Sequence, residues 1–172
     1  MTMFVDLTET DSWPKKFDLT VEPGEIDLDL VDFRLKGPVR ANGEIEKHAA
    51  WFEVEGRIEC EAEIDCSRCL EPIGRPIAIP FSIRLLQTES LSEAAEKAID
   101  KSELDSSILN GTQVDITEII REQILLDVPD QIFCKEDCRG LCPKCGANRN
   151  LIDCKCEDDE TDPRWAALQN LK

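Results

Sequence analysis

Between Phe52 and Asp65 the chain changes polarity at every residue. Phe52, Val54, Gly56, Ile58, Cys60, Ala62 and Ile64 alternate with Glu53, Glu55, Arg57, Glu59, Glu61, Glu63 and Asp65. A strict period of two over this length predicts a strand with one buried and one solvated face. Beyond the turn CSRCLEPIGRP, Ile77, Ile79, Phe81, Ile83 and Leu85 repeat the alternation. The two segments therefore pair as a long antiparallel hairpin with Cys66 and Cys69 at its tip. Pro76 and Pro80 predict that the second strand lies at an edge, because proline cannot donate to a ladder. Upstream, FDLTV (17–21) and IDLDL (26–30) flank Pro23 and Gly24 and read as two further short strands, the second also compatible with a helix start. His48, beside Ala49 and Ala50, falls on another strand.

The period then changes. In VDITEIIREQILLDVP, Ile116, Ile119, Ile120 and Ile124 share one helical face, Asp115 followed by Glu118 fits an amino-terminal cap, and Pro129 fixes the stop. A helix over 115–128 is predicted to cover the sheet. Residues 88–113 are acidic and serine-rich and read as a solvated loop with one short helix near 93–101. At the carboxyl end, Asp162 caps and Pro163 opens a short helix with Trp165, Leu168 and Leu171 on one face. That face either docks on the body or meets a partner.

These elements define an α+β fold: an antiparallel sheet or partly closed barrel covered by one main helix, with a C-terminal cysteine-rich zinc module. Residues 1–133 form the β-rich body, and residues 134–172 the module, an acidic spacer and the short helix. With 41% apolar but only 5% aromatic residues in 172, one aliphatic core is the expectation. The amino terminus has no basic start or apolar run, and no stretch reaches the roughly 20 apolar residues of a membrane helix. A cytoplasmic location is predicted, where grouped cysteines hold metal or do redox work more often than they form disulfides. The net charge of −17 argues against a broad basic surface for nucleic acid. The charge is uneven: residues 1–133 carry 13 basic and 29 acidic side chains, and residues 134–156 carry five basic and three acidic ones.

Six of the nine cysteines fall within CKEDCRGLCPKCGANRNLIDCKC, residues 134–156. Cys142-Pro-Lys-Cys145-Gly is a metal knuckle, two thiolates on a tight turn whose amides face the sulfurs, and Gly146 permits the positive φ. Cys154 and Cys156 close that site. Cys134 and Cys138 remain, as do Cys66 and Cys69 at the hairpin tip. One partition makes a second site of those four, clamping the tip to the segment after the helix. The other gives Cys134 or Cys138 to the first site and leaves Cys66 and Cys69 reduced or redox-active. Two structural zinc ions are the expectation, since zinc suits all-thiolate tetrahedra, although iron accepts the same ligands. A catalytic zinc usually keeps an open position and uses histidine or carboxylate, which this pattern does not offer. Cys60, on the apolar face of its strand, reads as a buried inert thiol.

CSRCLEP on a hairpin, then ITEIIREQILLDVP, then CKEDCRGLCPKCGANRNLIDCKC, closing with DPRWAAL, resembles the YceD-like family, named for large ribosomal RNA subunit accumulation. The resemblance implies a small cytosolic protein of mixed α/β structure needed for normal accumulation of large-subunit ribosomal RNA. With the closed thiolate pattern beside it, the expectation is a non-enzymatic factor that meets precursor rRNA or an assembly intermediate. On the residues themselves, Arg68, Arg139, Lys144, Asn148 and Arg149 are the candidates for local RNA contact, with Lys135, Lys155 and Asn150 nearby. The module lacks an aromatic side chain to stack a base. Two alternatives stand beside this: an acidic adaptor for a basic ribosomal protein or processing enzyme, and a thiol redox or metal-transfer protein.

Overall fold

The protein is described from a computed structural model, which covers residues 2–8, 12–49, 51–87, 106–109 and 111–156. Among these residues the strands are β1 (Phe4–Asp6), β2 (Lys15–Val21), β3 (Phe33–Leu35), β4 (Val39–Lys47), β5 (Trp51–Asp65), β6 (Pro72–Gln87), β7 (Ser106–Leu109) and β8 (Gln113–Asp115), followed by helix α1 (Ile116–Asp127). The main sheet runs β2-β4-β5-β6-β7, with β3 extending the β4 edge along the far end of β5, and β1 pairs β8 in a second, two-stranded sheet.

The alternation over 52–65 does what period two requires. Phe52, Val54, Ile58, Cys60, Ala62 and Ile64 are buried while Glu55, Arg57, Glu59 and Glu61 face solvent. β5 and β6 pair without interruption from Trp51 opposite Leu86 to Asp65 opposite Pro72. Among the described residues Pro76 and Pro80 lie where β6 has no second neighbour, since β7 joins in parallel only along Arg84 to Gln87. The edge position thus holds for the proline-bearing part of β6 and ends where the prolines end.

Helix α1 starts one residue after its predicted first position. Asp115 Oδ1 accepts from the backbone N–H of Thr117 (2.9 Å) and Glu118 (3.1 Å), satisfying donors that a helix start leaves open. The Glu118 carboxylate takes Arg121 Nη1 at 3.1 Å. Ile116, Ile119, Ile120 and Ile124 are buried in one cluster with the sheet's Ile45, Val54 and Ile58, an aliphatic core of the kind the composition predicts. The sheet is mixed, and α1 is the single α-helix that covers it among the described residues.

Three expectations are corrected. Residues 26–30 form no strand: a 3-10 turn (Pro23–Glu25) precedes them, and Asp29 at φ 52° breaks the extended path, although Ile26 and Leu28 still bury their side chains. The segment read as an acidic loop contains β7 and the start of β8. His48 lies in the β4–β5 turn, its ring stacked on Trp51 at 3.7 Å. The short helix near 93–101 and the one bearing Trp165 lie outside the described residues.

Where β4 crosses β5, Gly43 stands opposite Gly56. A Cβ on Gly43 would sit 2.1 Å from the Glu55 carbonyl and 2.6 Å from Phe17 Cζ, and one on Gly56 would sit 2.9 Å from Phe81 Cζ. The two phenylalanine rings cover glycines that the strands need for close approach. Gly43→Ala is expected to cost about 3 kcal/mol through overpacking, measured as a lower urea midpoint; an unchanged midpoint would show that the saddle yields freely.

Candidate metal centres

At the tip of the β5–β6 hairpin the chain makes a knuckle. Leu70 N–H donates to the Cys66 carbonyl (2.9 Å) and Cys66 N–H to the Glu71 carbonyl (2.9 Å), with Leu70 at φ 59°. The same turn recurs downstream, where Gly146 N–H donates to Cys142 O (2.8 Å) and Cys142 N–H to Ala147 O (2.8 Å), with Gly146 at φ 70°. Both turns need a left-handed residue after the second cysteine. Only the later one supplies glycine.

Beyond α1 the chain returns to the hairpin tip. Ser67 N–H donates to Ile132 O (2.8 Å) and Ser67 Oγ accepts from Ile132 N–H (3.0 Å). Arg68 Nη1 donates to Cys138 O (3.1 Å), and its guanidinium lies 4.2 Å from the centre of the Phe133 ring. These contacts bring Cys134 and Cys138 over Cys66 and Cys69.

The result is two groups of four thiols, Cys66, Cys69, Cys134 and Cys138, and Cys142, Cys145, Cys154 and Cys156; within each group all Sγ atoms lie within 4.8 Å of one another. In the first, Cys66 and Cys138 are separated by 3.8 Å and Cys69 and Cys134 by 3.6 Å. Four thiolates about 2.3 Å from a tetrahedral zinc have sulfur–sulfur edges of about 3.8 Å, whereas a disulfide needs about 2.05 Å. The donor set and spacing fit a tetrahedral divalent ion, and all nine cysteines are free thiols.

Backbone amides favour the thiolates. Burial opposes ionisation of Cys66, but N–H groups of Arg68, Cys69 and Cys134 outweigh it and bring the thiol down to about 6. The N–H groups of Cys145 and Lys144 bring Cys142 to about 6 as well. The remaining thiols feel those charges: burial and the neighbouring sulfurs push Cys134 up to about 12, and Cys145 and Cys142 do the same to Cys156. Without a cation each group thus ionises in part; a divalent ion would let all four thiolates coexist. Burial and nearby Asp127 push Cys60, outside both groups, up to about 11.

The proposed RNA residues divide by role. Arg68 is taken up in holding the Cys138 carbonyl, Arg139 pairs with Asp153 at 2.9 Å, and Asn148 Nδ2 donates to Glu71 Oε1 at 3.1 Å. Lys144 is exposed on the second knuckle and Arg149 is half-buried beyond it. Sequence reasoning passed over Ser67, Leu70 and Phe133, whose roles depend on contacts across more than 60 residues or on a backbone angle. His48 sits at the opposite end of β5 from both groups.

The chain belongs to the family described as large ribosomal RNA subunit accumulation protein YceD, which matches residues 54–172. It is 32% identical over 157 residues to the uncharacterized protein YlbN of Bacillus subtilis, covering 91% of this chain and 87% of that one. It is 26% identical over 166 residues to the chloroplastic YCED homolog 1 of Arabidopsis thaliana, covering 84% of this chain and 51% of the relative. A Mycobacterium tuberculosis protein, Rv2926c, is 24% identical over 154 residues, covering 90% and 72% of the respective chains. No solved structure matches the chain.

The two knuckles make opposite predictions for glycine. Leu70→Gly should raise stability by about 1 kcal/mol, because a left-handed leucine is strained and its side chain is 61% exposed. Gly146→Ala should lower it by about 1 kcal/mol. Paired thermal melts of the metal-loaded chain check both signs, and a Leu70→Gly protein less stable than wild type would mean that the exposed leucine packs on something.

Proposed function

We propose that this protein is a non-enzymatic, zinc-stabilised factor in the maturation or accumulation of large-subunit ribosomal RNA, acting in the cytoplasm and contacting RNA only locally. The observation that carries this reading is the sorting of eight cysteines into two groups of four closely spaced thiols, in a chain whose family is named for large ribosomal RNA subunit accumulation. Four thiolates per ion fill a tetrahedron and leave no position for a substrate or an activated water, the signature of structural sites. In this reading Cys66, Cys69, Cys134 and Cys138 hold one zinc, and Cys142, Cys145, Cys154 and Cys156 hold the other. Each ion would supply charge compensation for the thiolates and a covalent-strength tie between distant segments.

The RNA contact falls to the basic module, residues 134–156. Lys144 and Arg149 meet phosphates, with Arg139 beside them once its pairing with Asp153 yields. Arg68 and Asn148 act indirectly, by fixing the module on the hairpin tip. The partner is a precursor large-subunit rRNA or an assembly intermediate.

A second reading rests on the sheet. Glu55, Glu59 and Glu61 expose carboxylates along the solvated face of β5, which suits an adaptor for a basic ribosomal protein, since complementary charge steers association.

Elemental analysis should find two zinc per chain with one titratable thiol, that of Cys60. Cys142→Ser should lose one zinc while far-UV circular dichroism of the β body persists; retention of both ions would remove Cys142 from the ligand set. Lys144→Glu with Arg149→Glu should weaken association with large-subunit precursor RNA at least about tenfold, with a smaller salt dependence. Unchanged association with the zinc content intact would move the contact to the adaptor face.

A further inference from the structure

The two cysteine groups differ in how they are housed. In the first, Cys66, Cys69 and Cys138 are buried and Cys134 is exposed, whereas in the second only Cys142 is buried; Cys145 and Cys156 are exposed. An ion in the first group would sit beneath the hairpin tip and the 131–138 segment. One in the second would have solvent on the side of two of its ligands.

The groups are also joined. The loop between Cys145 and Cys154 belongs by sequence to the second group, yet it reaches into the first. Asn150 Nδ2 lies 3.3 Å from Cys138 Sγ. Its Oδ1 accepts from Arg139 N–H at 2.9 Å, and its own N–H and Nδ2 both donate to Asn148 Oδ1 at 2.9 Å. Asn148 in turn donates to Glu71 Oε1, at the end of the first knuckle. Backbone contacts reinforce the junction: Leu141 N–H donates to Arg68 O at 3.0 Å, and a Cβ on Gly140 would lie 3.0 Å from that same carbonyl.

We propose that the Cys142, Cys145, Cys154 and Cys156 group is an exchangeable metal site coupled to a retained site at Cys66, Cys69, Cys134 and Cys138, with Asn150 as the coupling residue. This rests on the metal-binding reading above. An N–H donor to a ligating sulfur stabilises its thiolate and fixes its direction, and such outer partners typically change metal affinity about 10- to 100-fold. While the second group is loaded, its loop is pinned and the Asn150 amide stays on Cys138 Sγ. Emptying the second group frees the loop, withdraws that donor and loosens the first. By linkage the effect is reciprocal: an intact first group strengthens ion binding at the second.

The test uses the zinc-loaded full chain, mixed with excess chromogenic chelator, with bound ions counted by native mass spectrometry. Wild type should lose one ion at least about tenfold faster than the other, a difference of the size that outer-shell contacts produce. Thiol alkylation during the fast phase should mark Cys145 and Cys156 and spare Cys66 and Cys69. Cys145→Ser should retain one ion and lose it about tenfold faster than the wild-type slow phase. Asn150→Asp keeps the Oδ1 acceptor for Arg139 but turns an oxygen toward Cys138. It should still bind two ions while its slow phase accelerates to a similar degree.

Equal release of the two ions, first alkylation at Cys66 and Cys69, or an unchanged slow phase in Asn150→Asp would each overturn the coupling. A residue with a merely structural part would leave that slow phase where it is. A wild-type chain that carries no ion before chelator is added would overturn the metal reading itself, and is separately visible in the starting spectrum.

Discussion

The register of β5 against β6 is the constraint from which the remaining structure follows. From Phe52 to Cys60 each inward residue of β5 faces an inward one of β6, as Ile58 faces Ile79 and Val54 faces Ile83. A slip of one residue would turn Phe52, Val54, Ile58 and Ile64 to solvent and bring glutamates into the core, so the register is strongly specified. The same ladder decides where the hairpin ends. Asp65 and Pro72 are its last pair, which leaves six residues for the turn and places Cys66 and Cys69 together at its tip. Everything that arrives later, the return after α1 and the second knuckle, is hung on that tip through Ser67, Arg68 and Glu71.

Charge sets a second condition. Eight thiolates around two divalent ions would add a formal −4 to a chain already at −17. Phosphate would then approach only where cations lie within about a Debye length, roughly 8–10 Å at cellular salt, and where they outnumber carboxylates. Residues 134–156, with five basic and three acidic side chains, come nearer to that condition than the sheet does, but the −4 of the ion sites falls on the same module, so any phosphate contact is confined to individual exposed cations. The acidic face and the basic module therefore suit different partners, and a ribosomal assembly intermediate contains both chemistries.

What was legible in the sequence is what local pattern can encode. β5 and β6 were visible because one face is wet and the other dry over many residues, and α1 because its cap, its isoleucine face and Pro129 agree. The IDLDL segment carried the strand pattern without becoming a strand, since a single left-handed residue, Asp29, turned the chain aside while burial of Ile26 and Leu28 was kept. β7 was hidden by its serines; its pairing with β6 comes from the parallel neighbour and not from its own propensity. Spacing alone left two partitions of the cysteines open, and the structure brings together the groups in which Cys66 and Cys69 join Cys134 and Cys138. The internal uses of Arg68 and Asn148 had no local signal, because their partners lie 70 and 77 residues away.

Those internal uses do not by themselves account for the fold of a segment so poor in apolar side chains. Of its three large ones, Leu151 and Ile152 are 75% and 58% exposed and only Leu141 is substantially covered. Burying one leucine is worth about 2 kcal/mol, while ordering the backbone costs about 1–2 kcal/mol for every residue fixed. Hydrogen bonds cannot make up the difference over 23 residues, since each nets only about 1 kcal/mol. The thiol groups are therefore the elements able to hold the module, and each joins segments that are otherwise apart: Cys66 and Cys69 to Cys134 and Cys138, and Cys142 and Cys145 to Cys154 and Cys156. Under the metal-binding proposal, the basic face is presented only while the thiols are bridged, so that metal supply, and not a rearrangement of the sheet, would control it.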